Sequence, residues 1–156
     1  MESDKSTDLK VIVFALGEER YAVDVQHVES IERLTDITRV PEAPPYVKGV
    51  INLRGVVTPV VDLRMKLGVT AKPFDAETRI LIVRVGDLHV GLIVDRADDV
   101  VDLPPSAVVP PPEVVTTVRS TYVEGIAHLG ESLVVLLNLT RVLSDEEREA
   151  VQRIEG

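Results

Sequence analysis

The stretch VKGVINLRGVVTPVVDLRMKLG at residues 47–68 has a related copy 76 positions later, VEGIAHLGESLVVLLNLTRVLS at residues 123–144. Both copies contain two short apolar runs separated by turn residues, which is typical of a β-hairpin. The repeat therefore predicts one β-rich unit that occurs twice in the chain. The identical pairs are Val47/Val123, Gly49/Gly125, Leu53/Leu129, Leu63/Leu139 and Leu67/Leu143.

A second pair of related segments precedes these copies, VIVFALGEERYAVDV at 11–25 and ILIVRVGDLHVGLIV at 80–94, with Gly17 aligned to Gly86. In both halves, short apolar runs end at Gly, Pro, Asn or Asp, which is the pattern of strands and tight turns. The predicted strands are 10–16, 20–23, 35–40, 47–53 and 56–62, then 79–85, 88–94, 98–103, 121–129 and 132–138. Tight turns are predicted at 17–18, 54–55, 86–87 and 130–131.

Ten strands in two sets of five predict an all-β fold with short helices, in which two five-stranded β-barrel subdomains pack about a shared hydrophobic core. Each half alone is only marginally large enough to build a stable core, so the halves should pack against each other. The expected ranges are a disordered leader at 1–8, a single domain at 9–150 with intertwined subdomains at about 9–70 and 78–143, and a C-terminal helix at 144–156.

Helices are predicted at two places. In DVQHVESIER (24–33) apolar residues recur at every third position, which favours a short helix resting on a barrel. Ser144 and Glu147 form a capping box that begins the C-terminal helix. Two proline-rich segments, 40–47 and 103–115, are predicted to be rigid surface connectors, because proline fixes φ and lacks a backbone N–H.

Composition excludes several classes of function. A net charge of -9 and the absence of Trp argue against nucleic-acid binding, which needs cationic side chains and aromatic stacking. There are no cysteines, so disulfides and thiolate chemistry are absent. The N-terminal residues do not resemble a signal peptide, and no apolar run approaches the ~18 residues of a membrane span. We therefore expect a cytoplasmic protein without direct membrane insertion.

Signals for catalysis are weak. His27, His89 and His128 each stand alone, without a second ligand at metal-binding spacing. Asp98 and Asp99 lack the spacing of a calcium loop, and no nucleophile-elbow or phosphate-binding motif occurs. The sequence predicts no catalytic residue, no cofactor and no metal.

Arg54 is the most prominent polar residue of the repeat. It occupies a predicted hairpin tip, and its counterpart in the second copy is Gly130, so the turn itself does not require arginine. A guanidinium can bind a carboxylate or backbone carbonyls of a partner through several donors. The alternative is that Arg54 is solvated or pairs internally with a nearby acid.

These segments, with the further stretches VGLIVDRADDVVDL and YVEGIAHLGESLVVLLNLTRVLS, resemble the CheW family of bacterial chemotaxis adaptors over residues 9 to 150. The resemblance implies a non-catalytic scaffold that couples the cytoplasmic hairpin tip of chemoreceptors to the regulatory domain of the histidine kinase CheA. It also implies a location at receptor arrays beneath the inner membrane. By the resemblance, the receptor-binding residues are Val28, Ser30, Gly49, Arg54 and Val100, and the kinase-binding residues are Val25, Lys48 and Val114.

The sequence departs from the family pattern at three positions. Ser30 stands where many relatives carry Glu, and Val109 and Val114 stand where some relatives carry a basic and an aromatic residue. These changes are compatible with an adaptor of a specialised pathway such as surface motility. A second alternative is a phosphatase or regulator acting on a phosphorylated response regulator. Some chemotaxis phosphatases carry a Glu and an Asn one helical turn apart on an exposed helix, and the segment 26–33 offers Glu29 and Glu32 but no Asn.

Overall fold

The computed structural model describes residues 8–111 and 122–143. Within these residues the chain forms eleven β-strands and two short α-helices. The first half of the repeat forms β1 (Leu9–Leu16), β2 (Glu19–Asp24), β3 (Val28–Arg33), β4 (Val47–Leu53), β5 (Val56–Asp62) and helix α1 (Leu63–Leu67). The second half forms β6 (Arg79–Val85), β7 (Leu88–Val94), β8 (Arg96–Leu103), β9 (Val108–Val109), β10 (Val123–Leu129), β11 (Ser132–Leu137) and helix α2 (Leu139–Val142).

The strands are arranged in two sheets. Sheet A has the order β8-β1-β2-β11-β10-β9, and sheet B has the order β3-β6-β7-β5-β4. Neighbouring strands are antiparallel, except that β11 runs parallel to β2 in sheet A and β5 runs parallel to β7 in sheet B. The predicted all-β class with two sets of strands is therefore confirmed.

Each sheet contains strands from both halves of the repeat. The hairpin β1–β2 pairs with β8 and β11, and the equivalent hairpin β6–β7 pairs with β3 and β5. The sheets thus differ from the sequence ranges 9–70 and 78–143, because each half contributes one hairpin to the sheet of the other. The expected domain limits at 9 and 150 stay a prediction.

The two sheets share one apolar core. Buried side chains of β1, β6 and β11 meet in it, among them Phe14, Leu81 and Leu137. Smaller clusters that include Val13 on β1 and Ile80 on β6 lie outside this shared core. Because a fully buried aliphatic or aromatic side chain stabilises the fold by about 1.5–3 kcal/mol, this shared core holds the exchanged hairpins in place.

The helix predicted at 24–33 is wrong. Asp24 caps a 3-10 turn at Val25–His27, and the chain then continues as β3, which pairs antiparallel with β6. Exposure alternates along β3, so that Ile31 is 42% exposed and does not rest on the core. The three-residue spacing of apolar residues fits a helix, and it also fits this turn followed by a strand. Pairing with the edge of β6 favours the strand.

The strand predicted at 35–40 is also wrong. Thr38 forms a single bridge with Val50 of β4, through hydrogen bonds of 2.8 and 2.9 Å. Pro41 follows closely and Glu42 has a φ of 64°, so the chain cannot continue as a regular strand. This half therefore has one bridge where the second half has the two-residue strand β9.

The four tight turns predicted from glycine are confirmed. Each hairpin turn contains a glycine with positive φ, which residues with a Cβ rarely adopt. The glycines are Gly17, Gly55, Gly86 and Gly130.

Gly49 and Gly125 have a different role from the turn glycines. Each follows a shift of register between the strands of its hairpin, at equivalent places in β4 and β10. A Cβ on Gly49 would lie 2.1 Å from the carbonyl oxygen of Thr38, and a Cβ on Gly125 would lie 3.0 Å from that of Val109. These identical positions of the repeat are glycines because another segment of backbone crosses directly over them.

Three predictions fall on residues outside the described ranges. They concern the leader at 1–8, apart from Asp8, the C-terminal helix at 144–156, and Val114. These stay predictions.

Replacement of Gly49 by Ala should destabilise the protein by more than about 3 kcal/mol, because the backbone of Thr38 has to move and φ is 145°. The matched control is Gly130→Ala, where nothing lies within 4 Å of the added Cβ. Only the left-handed backbone is penalised there, at about 1 kcal/mol. Urea unfolding of both variants measures the difference, and equal losses would refute the close approach.

Candidate functional site

The hairpin tip between β4 and β5 presents Arg54 to solvent. Arg54 and Gly55 both have positive φ, 51° and 89°, as a two-residue type I′ turn requires. The side chain of Asn52 accepts a hydrogen bond of 2.7 Å from the backbone N–H of Gly55 and holds the turn. A non-glycine residue in this conformation costs about 1 kcal/mol, so Arg54 occupies a position that the backbone alone does not favour.

Arg54 is also paired within the protein. Its Nη2 donates a hydrogen bond of 3.0 Å to Oε2 of Glu32 on β3, while 69% of the arginine side chain stays exposed. A hydrogen bond from Ser30 and then the bond from Arg54 lower the pKa of Glu32 below its usual value. Since β3 and β4 are the two edges of sheet B, this ion pair joins them. Arg54 therefore pairs internally with a nearby acid, as one of the two alternatives expects, while its side chain stays accessible to solvent. Its role in binding a partner stays a prediction.

Two exposed valines follow this turn in the chain. Val56 and Val57 begin β5 and are 53% and 59% exposed, although the rest of that strand is buried. We define the hairpin surface as Ser30, Glu32, Arg54, Val56 and Val57. The valines belong to an apolar run that predicts an entirely buried strand, so the sequence does not signal their exposure.

The remaining residues assigned to receptor binding have different environments. Val28 is half-buried at the start of β3 and packs on the shared core, and Gly49 is buried beneath Thr38. Val100 is 56% exposed, but it lies on β8 in sheet A and pairs with Ile12. The structure thus brings Ser30 and Arg54 together through Glu32 and places Val100 in the other sheet.

A cavity of about 650 Å³ lies beside the proline-rich loop. Arg39, Lys48 and Glu42 line it, together with Phe74, whose side chain is 40% exposed. Neither Arg39 nor Lys48 has an acidic partner among the residues described. Val25, the second residue assigned to the kinase, lies half-buried in the 3-10 turn and does not line this cavity.

A buried ion-pair network joins the two halves of the chain. Arg64 on α1 contacts Asp62 through two hydrogen bonds, Nε to Oδ1 at 2.9 Å and Nη2 to Oδ2 at 3.0 Å. Its Nη1 donates to Asp95, between β7 and β8, at 2.9 Å. The other oxygen of Asp95 accepts from the backbone N–H of Gly17 at 2.6 Å. All three charged side chains are buried, so every member depends on the others.

The electrostatics of this network favour the charged state of Arg64. Burial acts to lower the pKa of the guanidinium, but the hydrogen bonds and charges of Asp62 and Asp95 outweigh it and raise that pKa. The guanidinium also lies 5.1 Å from the ring centroid of Phe74. The network therefore connects the junction of the two halves with the wall of the cavity.

Lys66 makes a second link between the halves. Its Nζ lies 5.0 Å from the ring centroid of Tyr46 and 5.4 Å from that of Tyr122. The two tyrosines are equivalent in the repeat, and their carbonyls accept 2.8 Å hydrogen bonds from Asp62 and Asn138, the residues that cap α1 and α2. A cation between two aromatic rings stabilises this arrangement.

No group of three or more His, Asp or Glu side chains in residues 8–111 and 122–143 is placed to hold a metal ion. In the same ranges, no helix combines the length and apolar character that crossing a bilayer requires.

Two sheets that exchange hairpins about a shared apolar core define a two-barrel β fold. The family model described as CheW-like domain matches residues 10–147. The chain belongs to the CheW-like family, and its function is that of a chemotaxis adaptor.

Relatives and a solved structure agree with this assignment. The chain is 39% identical to the chemotaxis protein CheW of Bacillus subtilis, over 96% of this chain and 96% of the relative. It is 34% identical to the chemotaxis protein CheW of Klebsiella aerogenes, over 92% of this chain and 86% of the relative. A crystal structure of the scaffolding protein TtCheW from Thermoanaerobacter tengcongensis superposes with a TM-score of 0.82 at 33% identity, covering 90% of this chain and 96% of that one.

Replacement of Arg64 by Met should cost about 3–5 kcal/mol of unfolding free energy, because two buried carboxylates lose their cation. Lys10→Met is the matched control, since Lys10 is 59% exposed and lies 3.7 Å from Asp102. That change should cost less than about 1 kcal/mol. Thermal and urea unfolding report both values, and similar stabilities for the two variants would contradict the importance of the buried network.

Proposed function

We propose that the chain couples chemoreceptors to the histidine kinase CheA at receptor arrays, and that it carries out no chemistry of its own. The observation that carries this proposal is the hairpin surface, where an exposed arginine on a strained backbone is followed in the same hairpin by two exposed valines. Apolar patches next to an arginine are typical of protein contacts.

The partner of the hairpin surface is proposed to be the cytoplasmic hairpin tip of a chemoreceptor. A helical hairpin presents apolar side chains along one face together with carboxylates and helix-end carbonyls, which suit valine contacts and a guanidinium. Val28 and Gly49 support this surface from beneath, through the shared core and the crossing at Thr38. Val100 would extend the contact to sheet A.

The partner of the cavity is proposed to be the regulatory domain of CheA. Arg39 and Lys48 are cations without an acidic partner among the described residues, in a chain whose net charge is -9. The prolines of the loop reduce the entropy lost on binding, because their backbone is already constrained. Val25 and Val114 belong to the same proposal. Val25 lies in the 3-10 turn outside the cavity, and Val114 lies outside the described residues.

Coupling follows from two separate surfaces on one rigid frame. A bound receptor can change kinase activity only if the adaptor contacts differ between the active and inactive states of the kinase. The shared core and the Arg64 network connect the two sheets. This frame suits the transmission of small displacements from one surface to the other.

The phosphatase alternative loses its structural basis. It requires two functional side chains one helical turn apart, but residues 28–33 form a strand. Glu29 is paired with Arg84 at 2.6 Å, and Glu32 is paired with Arg54 at 3.0 Å. Both carboxylates are therefore engaged in ion pairs rather than free to orient a water molecule.

Arg54→Glu should weaken binding of a receptor cytoplasmic fragment by about tenfold, because it replaces a cation at the hairpin surface with an acid next to Glu32. Isothermal titration calorimetry measures the affinity, and the circular dichroism spectrum should not change. Lys72→Glu makes the same change of charge in the linker and should leave affinity intact. Unaltered affinity in Arg54→Glu would remove this residue from the receptor site.

The double variant Arg39→Glu, Lys48→Glu should reduce co-purification with the CheA regulatory domain while receptor binding persists. The control is Arg79→Glu, whose cation donates to the carbonyls of Ala76 and Thr78 and does not line the cavity. If the double variant and the control capture the kinase domain equally well, the cavity is not the kinase site.

A further inference from the structure

The two halves of the repeat differ at one equivalent cross-strand pair. When the hairpins β1–β2 and β6–β7 are aligned, Lys10 corresponds to Arg79, and at the same spacing Asp102 corresponds to Arg33. Lys10 faces Asp102 across β1 and β8 in sheet A, with 3.7 Å between Nζ and Oδ1. Arg33 faces Arg79 across β3 and β6 in sheet B. One sheet therefore has two arginines where the other has a salt bridge.

Two cations in opposite positions do not help the fold. Like charges that face each other on neighbouring strands repel, whereas the pair of Lys10 and Asp102 attracts. The side chain of Arg33 is exposed and has no hydrogen bond or ion pair with the described residues, although the chain has a net charge of -9. A residue that breaks a local rule of stability in this way indicates a binding role.

The guanidinium of Arg79 is held in place by its own neighbourhood. Its Nη1 donates hydrogen bonds of 2.9 Å to the carbonyl oxygens of Ala76 and Thr78. The donors on Nε and Nη2 have no acceptor among the described residues. These two nitrogens form the fork through which an arginine binds a carboxylate with two parallel hydrogen bonds. The pair is therefore preorganised for an anion.

An exposed apolar side chain lies on the same side of β3 as Arg33. Ile31 is 42% exposed and pairs with Leu81, and alternate residues of a strand project to the same face. Along the strand, Ile31 and Arg33 are about 6.6–6.8 Å apart. Two side chains one turn apart on a helix have a similar separation, about 5–6 Å between Cβ atoms. The surface therefore fits a helix that carries an apolar residue and, one turn away, an acid.

The same strand also carries part of the hairpin surface. Ser30 and Glu32 alternate with Ile31 and Arg33 along β3. Glu32 is engaged with Arg54 at 3.0 Å and does not neutralise Arg33. The hairpin surface and the pair of arginines are therefore continuous along one edge of sheet B.

We propose that Arg33 and Arg79 bind a carboxylate on the helical hairpin tip of the receptor, one turn from an apolar residue that contacts Ile31. This inference rests on the proposed receptor-binding function and adds a basis for selection among receptors. A receptor with an acid at that place is attracted, whereas one with a lysine there is repelled by two cations. Neither arginine lines the cavity that is proposed for the kinase.

The first test compares the affinities of wild type and Arg33→Asp for a receptor cytoplasmic fragment by isothermal titration calorimetry. Arg33→Asp should bind about fivefold more weakly, as expected for the loss of one exposed ion pair. Lys72→Asp makes the same change of charge in the linker and should bind as wild type does. Equal affinities of Arg33→Asp and wild type overturn the proposal. Weaker binding of the CheA regulatory domain with unchanged receptor affinity also overturns it, because the arginines then belong to the kinase site.

A charge reversal on the receptor identifies the carboxylate. Each Asp and Glu of the hairpin tip in the receptor fragment is replaced by Arg in turn. One of these replacements should weaken binding to wild type and restore binding to Arg33→Asp. If none of them restores binding, the two arginines do not bind an acidic side chain and the proposal is wrong.

Urea unfolding of the free protein tests whether Arg33 serves the fold instead. Arg33→Asp should raise the urea midpoint, because it gives sheet B the opposite charges that sheet A has. Asp102→Arg is the matched control and should lower the midpoint, because it places two cations opposite each other in sheet A. A midpoint of Arg33→Asp below that of wild type overturns the proposal.

The binding measurements also separate this inference from the proposed function. If wild type does not bind the receptor fragment, the receptor assignment itself fails. If wild type binds and Arg33→Asp binds equally well, the receptor assignment stands and only the carboxylate subsite is refuted.

Discussion

A single buried guanidinium holds the two halves of this protein in register. The guanidinium of Arg64 donates hydrogen bonds to Asp62, which caps α1, and to Asp95, at the corner between β7 and β8. Asp95 is itself held by the backbone N–H of Gly17. Removing charges from water is costly, and the cost is offset only in this complete arrangement. The exchanged hairpins are therefore joined by a contact that excludes alternative placements, in addition to the less specific apolar core.

The two surfaces that we propose as binding sites depend on this frame. The hairpin surface is held at the edge of sheet B by Glu32, and the cavity shares Phe74 with the Arg64 network. Neither surface has the enclosed, polar character of a catalytic pocket, and both present side chains that suit another protein. If both surfaces bind partners as proposed, the adaptor acts through the geometry in which it holds them, and the shared core and the Arg64 network set that geometry.

Local features of the fold were predictable from the sequence, and pairing between distant segments was not. The spacing of the glycines identified the four hairpin turns. The position equivalent to Arg54 in the second copy is Gly130, so the turn does not require arginine and the conformation alone does not explain Arg54. The repeat did not reveal that the hairpins exchange between sheets, because periodicity describes one strand and not its neighbour. Periodicity also gave a helix for β3. The ion pair of Arg64 with Asp95 joins residues 31 positions apart, and no local sequence pattern predicts it.

The exchange of hairpins has a consequence for how the chain reaches its native state. Sheet A needs β1 and β2 from the beginning of the described chain and β10 and β11 from near its end, so it cannot be completed until nearly all of the sequence is present. Contacts of such large sequence separation slow folding, because the intervening loop must close first. A nascent chain on the ribosome would thus expose unpaired strand edges for much of its synthesis, and the fold arises as one late cooperative event.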